Sequence, residues 1–257
     1  MASDVRGGHV GRTRAFQALA VVGIVGVWAV AASVIDNSAR LPNPLRVPGN
    51  AWPLIQSGEL QGHVVASLRR IAIGYGTAAV VGIVVGMVMG AFRPAERLLD
   101  TPMEFLRPIP ALALVPILLA LVGIGETLNI SIVFYASVFP IIINTVAGLK
   151  EVDRTYVEAA LTMGAGRTAV VRSVLLPAAL PSIMSGLRIG FQFAWMSIVG
   201  AELIGAVTGL GFMILYYAKF VATERVVVGM VTIGVLGLVF DRVLLVLWKV
   251  MTPWAQR

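Results

Sequence analysis

The sequence of 257 residues contains no cysteine and only two histidines, His9 and His63, which lie far apart in the chain. Without cysteine the chain can form neither a disulfide framework nor a thiolate metal site. Two distant histidines do not make a histidine-based site, so we predict no metal site. Charged residues make up 13% of the chain and hydrophobic residues 58%. Because soluble domains carry about 25% charged residues, this composition suits lipid rather than water.

Lysine is scarce too. None of the three lysines, Lys150, Lys219 and Lys249, is preceded by glycine and followed by Ser or Thr, as the nucleotide-binding motif G-x-x-x-x-G-K-[ST] requires. We therefore expect no ATPase site and no bound cofactor. An intramembrane protease would need paired catalytic groups, but Asp241 is the only aspartate well inside an apolar segment. We expect no catalytic residues.

Six apolar segments are candidates to cross the hydrocarbon core, which takes about 20 residues. They are 15–35, 69–91, 109–123, 128–149, 183–204 and 226–248. The third is short, and only residues 123–126 separate it from the fourth, so we predict an antiparallel hairpin. The sequence thus predicts an all-α membrane protein with about six transmembrane helices. Ala29-Val30-Ala31 after a basic, apolar start leaves open a cleaved signal peptide, which would leave five spans.

The distribution of Lys and Arg predicts the orientation of these spans. With the N-terminus inside, fourteen of the twenty basic residues lie on the cytoplasmic side, and both termini are cytoplasmic. The formal charge of +7 is therefore read as a topology signal, not as a nucleic-acid surface.

The second span carries small residues at every fourth position, a pattern that lets another helix approach closely in lipid. They are Gly74, Ala78, Gly82, Gly86 and Gly90. The stripe can pack within one subunit or between two. The fifth span repeats the pattern with Ser182, Gly186, Gly190 and Ala194. Pro116 and Pro140 fall inside the third and fourth spans, where proline is expected to bend a helix.

The segment from about 153 to 176 is polar and helix-forming, and it reads as two short helices. Asp153 is suited to cap the first helix. Gly164 and Gly166 are expected to end it, since glycine tolerates a positive φ. Pro177 and Pro181 are expected to end the second helix. Such a pair would form a rigid knob between two spans.

This segment reads Glu158-Ala159-Ala160, then three residues, Gly164, nine residues, Val174, one residue and Leu176-Pro177. It resembles the cytoplasmic signature of the permease subunits of bacterial ABC importers, with Val174 in place of Ile. The resemblance implies that Glu158, Ala159, Ala160, Gly164 and Pro177 couple the permease to an ATPase. Ala159 and Ala160 would give the knob a small-residue face that can seat in a groove of such a partner.

Further segments resemble the branch of that family that imports nitrate, bicarbonate, taurine and alkanesulfonates. They are Ser67-Leu68-Arg69-Arg70 with Gly74, Arg107-Pro108-Ile109-Pro110 with Pro116, Gly123-Ile124-Gly125, and Ala201-Glu202-Leu203-Ile204 with Gly209-Leu210-Gly211. The resemblance implies a type I ABC importer permease fold. It implies a single transmembrane permease domain, 1–257, with a coupling loop at about 150–182, in the bacterial inner membrane.

The same resemblance implies the partners. They are a cytosolic ATPase dimer that holds ATP and Mg, a second permease copy, expected to form a homodimer, and an extracytoplasmic solute-binding protein or lipoprotein. Transport would proceed by alternating access. The expected solute is an aliphatic sulfonate or similar small anion. A vitamin precursor, such as a pyrimidine or riboflavin-like solute, remains the alternative, and a passive channel would leave the coupling loop unexplained.

Polar side chains within spans are costly and face protein or water. Asn144, Gln192, Ser197 and Glu202 are therefore candidates for the substrate path. Glu202 can line an outer vestibule or bind a neighbouring backbone amide. Since a carboxylate is a poor ligand for an anion, we expect the other three to lie nearer an anion's path. For Asp241, which lies beside Arg242, a structural ion pair is the simpler interpretation.

Overall fold

The structure, a computed structural model, describes residues 5–256, with the side chains of 5–15, 17, 18, 21, 167, 255 and 256 outside the description. Throughout this range every regular element is helical. The α-helices are α1 Val5–Ile35, α2 Val47–Gln56, α3 Glu59–Ala91, α4 Arg93–Leu106, α5 Val115–Val122, α6 Glu126–Lys150, α7 Arg154–Thr162, α8 Arg167–Val170, α9 Leu176–Gly205, α10 Leu210–Lys219 and α11 Thr223–Met251.

The described chain separates into two compact units, 1–60 with 213–231, and 61–212 with 232–257. The first contains α1, α2 and the chain around residue 224. There Glu224 accepts a hydrogen bond of 2.8 Å from Asn50, and the hydroxyl of Tyr217 donates one of 2.5 Å to Glu59. The second contains most of α3 and all of α6 and α9. The prediction of one permease domain over 1–257 stays a prediction.

Four helices are long and apolar enough to cross a membrane, namely Glu59–Ala91, Glu126–Lys150, Thr168–Gly205 and Thr223–Met251. They confirm the predicted second, fourth, fifth and sixth spans. The predicted first span, 15–35, begins among residues whose side chains lie outside the description, and its described apolar part is Val22–Ile35. The possible cleavage of this segment stays an open alternative.

The glycine stripe of α3 packs against α6 within one chain. A Cβ built at Gly74 would lie 2.8 Å from a Val133 methyl carbon, and one at Gly86 would lie 2.6 Å from the Cβ of Thr145. Gly90 meets Leu149 in the same way. Because the partner numbers rise together, α3 and α6 run parallel. Their backbones approach closely only because glycine presents no side chain.

The fifth span packs on a neighbouring face of α6 in the opposite direction. Gly186 lies against Asn144, and Gly190 lies against Ile141. Ile141 is fully buried and also lies against Gly82 of α3. One side chain therefore fills the space that glycine leaves on both neighbouring helices, at Gly82 and at Gly190. The predicted small-residue patterns of the second and fifth spans therefore build one three-helix core.

The third predicted span, 109–123, is a broken pair rather than one helix. Because α3 and α6 run parallel, the chain between them must return across the membrane. It does so through α4, an irregular segment at 107–110, a 3-10 turn Ala111–Leu114 and α5, with 85° between the two helical parts. Pro108 and Pro110 account for the break, since each removes a backbone donor.

Two glycines with positive φ, Gly123 at 73° and Gly125 at 146°, form the tight turn from α5 into α6 and confirm the predicted hairpin. Pro116 lies in the first turn of α5, where a missing N–H costs nothing, so the expectation that it bends the middle of a span is wrong. Pro140 does lie inside α6, where its carbonyl accepts a hydrogen bond from the side chain of Asn144.

Replacing Gly86 by valine is expected to lower the free energy of unfolding by about 1–3 kcal/mol, the usual cost of overpacking a tight contact. Gly76→Val on the same helix is the matched control, because a Cβ there meets nothing within 4 Å. We expect the control to change stability by less than about 0.5 kcal/mol. Apparent melting temperatures of the two variants in detergent test this, and equal values would contradict the packing of α3 on α6.

Candidate functional site

The predicted coupling loop begins with α7, and both of its ends have the expected caps. The side chain of Asp153 accepts hydrogen bonds from the N–H of Thr155 at 2.9 Å and from its hydroxyl at 2.8 Å. These two donors lower the pKa of the Asp153 carboxyl, the backbone N–H having the larger effect. The cap satisfies backbone donors that a helix start leaves free.

The C-terminal end of α7 is a Schellman motif. Gly164 has φ of +85°, its N–H donates to Leu161, and the N–H of Ala165 donates to Ala160. This pair of bonds closes the helix and turns the chain sharply. Gly164 ends the helix as predicted, whereas Gly166 does not have a positive φ.

The second helix of the loop does not end at the prolines. The chain continues from α8 through a π-turn, Val171–Leu175, directly into α9, and Thr168–Gly205 is one span. The N–H of Leu176 donates to the carbonyl of Val171 across the wider π-turn. The expectation that Pro177 and Pro181 end the helix is therefore wrong. Pro177 falls in the first turn after the π-turn, where a proline fits.

The outer face of α7 differs from the predicted one. Glu158 and Ala159 are exposed, but Ala160 is 8% exposed and packs inside the loop. The part of Ala160 in a seating face with Ala159 stays a prediction, which this burial does not favour. Tyr156 and Met163 are exposed on the same side of α7 as Ala159, and Met163 is 82% exposed. Sequence reasoning missed these two, although the spacing 156, 159 and 163 is that of one helix face.

The inner face of α7 borders a cavity of about 420 Å³ that Val157 and Leu161 line from the loop and Ala91 and Phe92 line from the end of α3. Pro177 is exposed. The loop thus has an exposed outer face and a loosely filled inner one.

A second cluster of charged groups is buried near the other end of α3 and α9. The side chains of Arg70 and Glu202 are 2% and 0% exposed and lie 2.7 Å apart. Arg70 also donates to Glu126 at 2.6 Å and to the carbonyl oxygen of Thr208 at 2.6 Å. Buried charges are tolerated when they are paired and hydrogen-bonded like these.

Glu202 accepts further hydrogen bonds from the hydroxyl of Ser67 at 2.8 Å and from the N–H of Gly211 at 2.9 Å. Its assignment to the substrate path stays a prediction, and this burial favours the other interpretation, a bond to a neighbouring backbone amide. Sequence reasoning placed Arg70 in a family-like segment but did not predict that it pairs with Glu202. The clue was the pair of family-like segments around Ser67 and Glu202.

The other path candidates lie apart from one another. Asn144 donates to Pro140 on its own helix, and Gln192 lies within hydrogen-bond reach of Asp241. Asp241 pairs with Arg188 of α9 at 2.8 Å, so the simpler interpretation of Asp241 as an ion-pair partner is correct, with Arg188 rather than Arg242.

Ser197 lines a cavity of about 460 Å³ between the broken third span and the middle of α6 and α9. A cavity of this volume is within the range of small-molecule sites.

The sequence model of the family described as "binding-protein-dependent transport system inner membrane component" matches residues 79–251. The chain belongs to this family. The taurine transport system permease protein TauC of Escherichia coli K12 is 36% identical over 232 residues, which cover 88% of this chain and 84% of TauC. The nitrate import permease protein NrtB of Synechocystis is 32% identical over 249 residues, 93% of this chain and 90% of NrtB.

The fold agrees with that membership. A chain of the MetNI methionine ABC transporter, solved in inward-facing conformations, superposes with a TM-score of 0.66 at 23% identity, covering 79% of this chain and 98% of the other. This permease family member is therefore an all-α, multi-pass inner-membrane protein with the type I ABC importer permease fold. Its relatives are transport permease subunits, not ATPases.

Removing Arg70 tests the buried cluster. Arg70→Ala leaves Glu202 buried without its charged partner, and we expect a loss of about 3–5 kcal/mol, the usual cost of breaking a buried pair. The neighbouring Arg69, 61% exposed, also contacts Glu126. Arg69→Ala should cost about 0–1 kcal/mol. Thermal denaturation in detergent measures both, and equal losses would contradict a structural role for the Arg70–Glu202 pair.

Proposed function

We propose that this permease is the transmembrane subunit of an ATP-driven importer that moves a small anion across the inner membrane by alternating access. The favoured solute is an aliphatic sulfonate. The observation that carries the proposal is the coupling loop. An exposed helix, α7, projects from the end of the helix core and continues into α9 with a single π-turn in between.

The loop supports this role because it can transmit motion. The Schellman motif at Gly164 fixes the turn between α7 and α8, and the helix runs from Thr168 to Gly205. A displacement of α7 by a bound ATPase is therefore delivered to a membrane span. Glu158, Ala159, Gly164 and Pro177 would take part in this coupling, joined by Tyr156 and Met163 on the outer face.

The remaining parts of the machine lie on other chains. A cytosolic ATPase dimer would bind α7 and hold ATP and Mg, so that hydrolysis takes place outside the permease. A second copy of the permease would complete the path, and an extracytoplasmic solute-binding protein or lipoprotein would deliver the solute. This permease would bind no cofactor of its own.

Two observations support an anion as the solute. The relatives TauC and NrtB are named for the transport of taurine and the import of nitrate, and a sulfonate group and a nitrate both present charged oxygens. The residues that line the cavity at Ser197 include Arg107 and no carboxylate. Neither observation favours a vitamin precursor.

Glu158→Lys tests the coupling. The change reverses a charge on the exposed face of α7, so we expect the variant to lose co-purification with the ATPase encoded beside it and to lose ATP-driven uptake. Glu151→Lys is the matched control, because Glu151 is also exposed but lies before α7. We expect it to retain both properties. Membrane content of each variant is measured by immunoblotting.

If both variants co-purify with the ATPase and transport normally, α7 is not the coupling helix. If neither the native chain nor the variants bind any ATPase, and vesicles containing the native chain conduct ions without ATP, the importer assignment fails and a channel takes its place.

A further inference from the structure

The break in the third span lies deep in the membrane. The hydroxyl of Tyr135, in the first half of α6, donates to the carbonyl of Leu106 at 2.7 Å, whereas Glu96 near the start of α4 pairs with Lys150 at the end of α6. Helix α4 therefore runs along α6 from the C-terminal end of α6 to its middle. The turn Ala111–Leu114 and α5 together are about 20 Å long. This is less than the hydrocarbon thickness of about 30 Å, so the break before them lies inside the hydrocarbon region and not at its surface.

Non-helical backbone at this depth is tolerated only where it is buried in protein or lines a cavity that water can enter. Residues 107–110 line the cavity of about 460 Å³, so the second condition is met. The other walls are mostly apolar, with Phe139, Phe193 and Met196 among them, and two hydroxyl-bearing residues, Tyr135 and Ser197, also border it. The cavity thus combines an apolar wall with a few polar groups.

Arg107 is the one charged residue among those that line this cavity. Two other arginines of the spans each hold a carboxylate, Arg70 with Glu202 and Arg188 with Asp241. Within the described residues, no ion pair or hydrogen bond engages the Arg107 guanidinium. A cation at membrane depth is costly unless it meets an opposite charge or water, so this position suits an anionic ligand.

Arg107 also lines a second cavity, of about 270 Å³, which follows α6 to Lys150. Asp100 and Glu104 line that second cavity, so of the two cavities that Arg107 borders, the one at Ser197 is lined by no carboxylate. Arg107 therefore borders both a cavity lined by no carboxylate and one that extends toward the end of α6.

We propose that the cavity between residues 107–112, α6 and α9 binds a small organic anion with an apolar chain. Arg107 is the counter-ion of its charged head, and Phe139, Phe193 and Met196 contact its chain. The inference deepens the proposed function, on which it rests for the nature of the solute. It assigns the permease itself a selective site, in addition to any selection by a solute-binding protein. The phosphate of an anionic lipid offers similar charge chemistry, and the test separates the two sources.

The absence of cysteine allows a direct test, because a single introduced thiol is the only one present. In Ser197→Cys the thiol borders the cavity. The full chain is placed in phosphatidylcholine nanodiscs and labelled with methanethiosulfonate reagents of opposite charge, an ethylsulfonate and an ethyltrimethylammonium. The thiolate attacks the sulfenyl sulfur, forms a mixed disulfide and releases methanesulfinate.

We expect the ratio of anionic to cationic labelling rates to fall about tenfold when Arg107→Gln is added, since loss of a unit charge that borders the same cavity changes the local potential by about 1.4 kcal/mol or more. Arg97→Gln, an exposed arginine of α4 outside the cavity, is the matched control and should leave the ratio unchanged. Butanesulfonate should slow labelling when Arg107 is present and not when it is Gln.

The anion site is overturned if Arg107→Gln leaves the ratio of anionic to cationic labelling rates unchanged, or if butanesulfonate does not slow labelling. If phosphatidylglycerol in the nanodiscs blocks labelling while butanesulfonate does not, the ligand is a lipid phosphate and the solute site is overturned. Ala136→Cys, which places the thiol on α6 in the same cavity, repeats the test if Ser197→Cys does not fold. The labelling needs neither ATP nor transport, so its outcome is independent of the Glu158→Lys experiment.

Discussion

The close approach of α3 and α9 to α6 is the packing constraint on which the remaining structure depends. In lipid, helices gain little from hydrophobic burial and associate through van der Waals contact, which requires small residues at the crossing points. Ile141 fills the notches at both Gly82 and Gly190, so a single side chain joins the three helices. Only glycine at these positions lets the backbones come close enough for that contact.

Parallel packing of α3 and α6 has a consequence for the chain between them. Residues 92–125 must return across the membrane beside a core that is already closed, and they do so as a helix pair bent by 85° rather than as a regular span. The break then exposes backbone at membrane depth and creates the cavity that Arg107 borders. The unusual third span is thus a product of the glycine stripe as much as of its own prolines.

How much the sequence predicts depends on how far apart the interacting residues are. Asp153, Gly164 and the turn at 123–125 act within a few residues, and each of these local features was predictable from the residues alone. Arg70 and Glu202 are distant in the chain, and although both lie in family-like segments, the sequence alone does not show that their side chains meet. The π-turn before Pro177 was also missed, because helix-ending rules for proline assume regular α-helical hydrogen bonds. Ala160 looked like part of a face because spacing alone does not say which side of a short helix is covered.

The two ends of α9 are held in different ways, and this limits how the helix can move. At one end it continues through the π-turn into the coupling loop, which has a loosely filled cavity beneath it. At the other end Glu202 is fixed by Arg70, Ser67 and Gly211 in a fully buried cluster. If the proposed coupling acts on α7, the force would reach a helix whose far end is hydrogen-bonded to α3, and these bonds would oppose sliding of α9 more than tilting about that end. A pivot displaces the middle of α9 sideways, where Phe193, Met196 and Ser197 border the cavity. Motion at the coupling loop would then change the shape of the site beside Arg107 without breaking the buried cluster.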